Sequence, residues 1–105
     1  MAKTNMQPIL NIKETLEYRK ESIVSKIIAE DKYTSLVGFA FDRGQSILPR
    51  TSSVNATIAV LEGNAEIMIG GNNYDLKEGD MIVMPKEELH ALFAKTKLKL
   101  ALFKG

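Results

Sequence analysis

The segment "AEIMIGGNNYDL", residues 65–76, constrains the chain more than any other. Ala65, Ile67 and Ile69 alternate with more polar neighbours, so they share one face of an extended strand. Gly70-Gly71-Asn72-Asn73 then supplies residues that tolerate a positive φ, which is the demand of a tight hairpin turn. Two such runs joined by so short a turn leave room for antiparallel strands and for little else.

The same grammar recurs along the chain. "SIVSKIIA" (22–29) is rich in β-branched residues, and "TSLVGFAFD" (34–42) places Val37, Phe39 and Phe41 on one face. "NATIAVLEG" (55–63), "MIVMP" (81–85), "LHALFA" (89–94) and "LKLALFK" (98–104) follow, the last with Leu98, Leu100 and Leu102 in period two. Turns are expected at "EDKY" (30–33), Asp42-Arg43-Gly44, Gly63-Asn64 and "KEGD" (77–80). Pro85 lacks an amide hydrogen and marks a strand end or edge. By alternation Phe39, Phe41, Phe93 and Phe103 are core candidates, and Met68, Met81 and Met84 read as core or interface filler. Residues 9–20, "ILNIKETLEYRK", fit either a short helical turn carrying Leu10, Ile12 and Leu16 or an irregular edge, and residues 1–8 are expected to be disordered.

The pattern thus predicts roughly nine short strands, no long helix, and an all-β sandwich or barrel. A length of 105 residues fits one domain, here residues 9–105. A net charge of +1 provides no field that would gather nucleic acid, and no basic patch interleaves with aromatics. No run reaches the roughly 18–20 apolar residues of a membrane span, and the first residues lack an apolar signal core. The expectation is a cytoplasmic protein with neither nucleic-acid nor membrane partners. Without cysteine there is no thiolate chemistry and no cysteine-ligated metal. The glycines do not sit between strand and helix, which argues against a phosphate-cradling loop.

Two segments resemble the paired motifs of the cupin superfamily, G-x5-H-x-H-x3,4-E-x6-G and G-x5-P-x-G-x2-H-x3-N. "GQSILPRTSSVNATIAVLEG" follows the first spacing from Gly44 to Gly63, and "GDMIVMPKEELHALFA" brings Gly79, Pro85 and His90 into register with the second. The resemblance spans about residues 22–103. It implies a single cupin-type antiparallel β-barrel, jelly-roll-like. In the family, metal-binding members use two histidines and a carboxylate from the first motif and a histidine from the second. Those positions here hold Arg50, Ser52, Ala56 and His90, so only His90 matches. The second motif's glycine and asparagine positions hold Glu87 and Ala94. A guanidinium has no lone pair for a metal. The resemblance therefore implies neither a metal site nor a resident cofactor here.

By the resemblance His90, the only histidine, points into the barrel mouth across from the strand bearing Arg50 and Ser52. It reads as an uncharged pocket histidine, as a ligand contact, or as a metal ligand with oxygen from Glu87 and Glu88 in the loop before it. Arg50 reads either as a rim residue packing its stem or as an anion clamp, because its planar fork of donors suits carboxylate or phosphate. The three together form the expected ligand-binding set. "RTSSVN" lacks the elbow that would make Ser52 a nucleophile beside His90. Three functions follow as expectations. One is a small-molecule-binding or sensing barrel for a small carboxylate or a sugar-like compound. The second is an enzyme, metal-dependent with unusual ligands or a metal-free isomerase or lyase using His90. The third is a structural or regulatory partner. "ESIVSKIIAE", apolar on both faces, is expected to form a homodimer interface.

Overall fold

The computed structural model describes residues 9–105, so the disorder expected for residues 1–8 concerns residues outside those described. The described chain holds one short helix and nine strands. They are α1 (Ile12–Thr15), β1 (Ile23–Glu30), β2 (Ser35–Phe41), β3 (Ser46–Arg50), β4 (Ala56–Glu62), β5 (Asn64–Ile69), β6 (Asn72–Lys77), β7 (Met81–Met84), β8 (His90–Ala94) and β9 (Leu98–Lys104). All recorded strand pairs are antiparallel. They form a five-stranded sheet, β1-β2-β9-β4-β7, and a four-stranded sheet, β3-β8-β5-β6. The expected barrel is thus two sheets facing each other, not closed by a ladder between them.

Alternation decides which side chains enter the space between the sheets. Phe41 faces Leu98 and Phe39 faces Leu100 in the β2–β9 register, while Val60 faces Leu100 and Ile58 faces Leu102 across β4 and β9. The opposite sheet supplies Ala65, Ile67, Leu92 and Ala94 to the same buried cluster. Period two also corrects two expectations. Because Leu92 and Ala94 face inward, Phe93 between them faces out and is 43% exposed. Phe103 follows Leu102 and is 47% exposed for the same reason. Of the methionines, Met84 joins the core and Met81, which sits one step out of phase with the inward-facing Ile82, is 67% exposed.

The turns follow the glycines. Gly70 and Gly71 both hold positive φ, 56° and 91°, between β5 and β6. Gly44 takes a φ of 88° after β2. In the β1–β2 turn the Asp31 carboxylate accepts hydrogen bonds from the amides of Tyr33 and Thr34, both at 2.9 Å, and from the Thr34 hydroxyl at 3.0 Å. Those bonds favour the ionised form and hold its pKa below the usual carboxylate value.

The ambiguous segment 9–20 resolves into one helical turn, capped by Asn11, whose side chain accepts from the Glu14 amide. Beyond it Leu16 is buried on the outer face of the five-stranded sheet, where Gly38 leaves space for it, while Leu10 stays exposed. Tyr18 fastens the segment. Its hydroxyl donates to Glu62 at 2.5 Å, and the ammonium groups of Lys97 and Lys99 lie 5.3 and 5.0 Å from its ring centroid. Burial, and then the bond to Glu62 and its charge, push the phenol's pKa above its ordinary value. The same bond, with Lys99 and Lys13 nearby, lowers that of Glu62.

Candidate functional site

Antiparallel strands bring alternate ends to one rim. The C-terminal ends of β3, β7 and β9 and the N-terminal ends of β4 and β8 meet at the same end of the sandwich. Arg50, Met84, Lys104, Ala56 and His90 occupy those ends, and all five line one cavity of about 260 Å³. Deeper in, Phe39, Phe41, Ile58, Leu92 and Leu100 form its wall.

Arg50, Ser52 and His90 all line this cavity. Arg50 and His90 are paired residues on neighbouring strands of the four-stranded sheet. His90 therefore stands beside Arg50, and not across the mouth from it as the resemblance implied. The strand that carries Arg50 was not singled out by alternation. "SILPR" contains Pro49, and β3 tolerates it because it lies at a sheet edge.

Two loops hold the mouth in place. The Glu87 amide donates to the Ser52 carbonyl at 2.7 Å, and the Lys86 amide donates to the Asn55 side chain at 2.8 Å. These bonds tie the loop after β3 to the loop before β8. The Ser52 hydroxyl oxygen accepts from the Val54 amide at 3.3 Å, which leaves its own hydrogen available. Glu87 holds a φ of 65°, at the position where the family motif carries glycine. The backbone shape persists here without the residue that adopts it most easily. Glu87 and Glu88 are exposed, and neither lines the cavity.

The His90 ring reaches the Glu88 carbonyl through Nδ1 at 3.3 Å. A carbonyl only accepts, so this contact assigns the hydrogen to Nδ1 and leaves Nε2 a lone pair in the neutral ring. A divalent cation needs several such donors. Among the described residues no group of three or more His, Cys, Asp or Glu side chains is placed to hold one. The neighbouring guanidinium of Arg50 would repel a cation, so the residues present do not fit a metal at this site.

Lys104 is a cavity residue that the sequence reading passed over. It ends the run Leu98, Leu100, Leu102, and period two alone carries it to the inner face. It enters from the five-stranded sheet, so the cavity has a cation on each of its two sheets. No aspartate or glutamate lines it.

Comparison with known proteins agrees with the fold. A family model described as "Cupin domain" matches residues 39–103. A conserved protein of unknown function from Streptococcus pyogenes superposes with a TM-score of 0.88 at 27% identity, over 95% of this chain and 88% of that one. A cupin superfamily protein from Desulfitobacterium hafniense gives 0.88 at 22% identity, over 97% and 94%. A cupin 2 conserved barrel domain protein from Leptotrichia buccalis gives 0.86 at 28%, over 90% of this chain and 46% of that one. No curated protein matches the chain by sequence.

Proposed function

We propose a function from one premise: the chain belongs to the cupin family. It is a small-molecule-binding or sensing barrel whose ligand enters the cavity between the two sheets. One observation carries this reading. Arg50 and Ser52 from one segment and His90 from another, chemically distinct, line a single cavity with an apolar wall. Apolar walls with a few convergent polar groups are the usual form of a ligand site. The enzymatic alternative would rest on His90 alone, with its Nδ1 turned to a backbone carbonyl and no carboxylate lining the cavity to orient it as a base.

The test is a thermal-shift screen of small carboxylates and sugars against the full chain, followed by titration of each hit. A ligand specific for the folded state stabilises it by about 2.7 kcal/mol at about a hundred times its Kd. The expected result is a saturable rise in Tm for at least one compound, and weaker binding of it by Arg50→Ala. If no compound shifts the wild type, or Arg50→Ala binds every hit unchanged, the reading fails. Turnover that His90→Ala abolishes would favour the enzyme instead.

The homodimer belongs to the same proposal. What supports it is β1, an edge strand of the larger sheet whose Ile27 is 60% exposed. Light scattering at micromolar concentration is expected to give a mass near twice the 11.7 kDa monomer. A mass equal to the monomer's would rule it out.

A further inference from the structure

We infer that the cavity takes a small amphiphilic acid, an apolar body carrying one carboxylate, held at its head between Arg50 and Lys104. This rests on the binding reading above and names the ligand's chemistry.

The two cations reach the mouth from different sheets. Arg50 ends β3 and Lys104 ends β9. Among the described residues neither is paired with a carboxylate, and no acidic side chain lines the cavity. Two like charges facing one partly enclosed space repel, and an anion between them removes that cost. The guanidinium offers a planar fork to a carboxylate, and the lysine adds a point charge with rotatable donors. The Ser52 hydroxyl, with its hydrogen available, is a third donor at the rim.

The wall below selects the rest of the molecule. Phe39, Phe41, Ile58, Leu92 and Leu100 present hydrocarbon surface with no side-chain hydrogen-bond donor or acceptor. A sugar buried there would leave its hydroxyls unsatisfied, a cost of about 1–3 kcal/mol for each buried polar group. An alkyl or aryl group meets no such penalty. Size narrows the class further. A cavity of about 260 Å³ lies just below the roughly 300–1,000 Å³ usual for ligand pockets, which favours a small ligand.

The probes are butanoate, hexanoate, octanoate and benzoate as amphiphilic acids. Hexanol and benzyl alcohol are their uncharged counterparts, and glucuronate and glucose are the polar-bodied compounds. Each is titrated calorimetrically into the full chain, the wild type and the variants Lys104→Met and Arg50→Met. Unliganded Tm is recorded for every variant to show that it folds. At least one amphiphilic acid is expected to bind saturably, tenfold or more tightly than its alcohol and than glucuronate. Lys104→Met and Arg50→Met are each expected to weaken that acid tenfold or more and to change alcohol binding less than threefold. Tighter binding of glucuronate or glucose would overturn the inference and leave the binding barrel standing. Acid binding that either variant preserves would overturn the two-cation head. Failure of every probe to bind would overturn the inference, while the binding reading would still be decided by the wider thermal-shift screen.

Discussion

Gly63→Ala is expected to cost about 3 kcal/mol or more of folding stability. Gly63 joins β4 in the larger sheet to β5 in the smaller, at the end of the sandwich opposite the cavity mouth. Its φ is 88°, in the left-handed region that costs an L side chain about 1–2 kcal/mol. A Cβ there would also collide with the Lys97 carbonyl oxygen and come within 2.8 Å of the Thr96 hydroxyl. Neither neighbour yields easily. Thr96 Oγ1 accepts from the Asn64 amide at 3.0 Å and donates to the Lys97 carbonyl at 2.8 Å, so the two crossovers between sheets are bonded to each other at this point. The control is Gly79→Ala. Gly79 has a similar φ of 93°, and an added Cβ meets nothing within 4 Å. Urea unfolding of both variants, at unchanged m, separates backbone strain from collision. If Gly63→Ala falls within about 0.5 kcal/mol of Gly79→Ala, the crossovers do not pack as described.

The turns at Gly44, Gly63, Gly70-Gly71 and Gly79 were legible in the sequence because a positive φ selects for glycine. The inward faces of β5 and β9 were legible because period two is a property of the strand itself. What depended on contacts between distant segments was not. β3 escaped notice because "SILPR" neither alternates cleanly nor avoids proline, and only its place at a sheet edge beside β8 makes it a strand. Leu16 is buried because Gly38 and its neighbours on another element open a seat for it. Lys104 was legible in principle, two residues beyond Leu102, but a terminal lysine reads as a solubilising flank unless the run is carried to its end. Phe93 and Phe103 alternate as well as their neighbours do, but in the opposite phase, and which phase faces inward is set by the packing of Leu92, Ala94 and Leu102 against the other sheet. Of the site, the register of the two motifs names Arg50, Ser52 and His90, which line one cavity, and the second cation comes from a strand that neither motif describes.

The second large effect concerns a side chain that belongs at once to the core and to the cavity wall. Phe41→Ala is expected to cost about 3–5 kcal/mol, the range for removing a buried phenylalanine. Phe41 is fully buried, is the register partner of both Ile23 and Leu98, and has its ring centroid 6.0 Å from that of Phe39. A domain of this kind is stable by about 5–15 kcal/mol, so this one truncation removes a large share of the total. Phe39→Ala is expected to cost less, because Phe39 is only partly buried. Chemical denaturation ranks the pair. A loss below about 1 kcal/mol for both would mean that β2 presents its other face, with Gly38 and Ala40 inward, since a slip of one residue inverts a strand. The cavity would then lose two of its wall residues, and the case for an apolar ligand body would fall with them. The folding measurement thus bears on the binding proposal: the register that buries Phe41 also sets the apolar wall beneath Arg50 and Lys104.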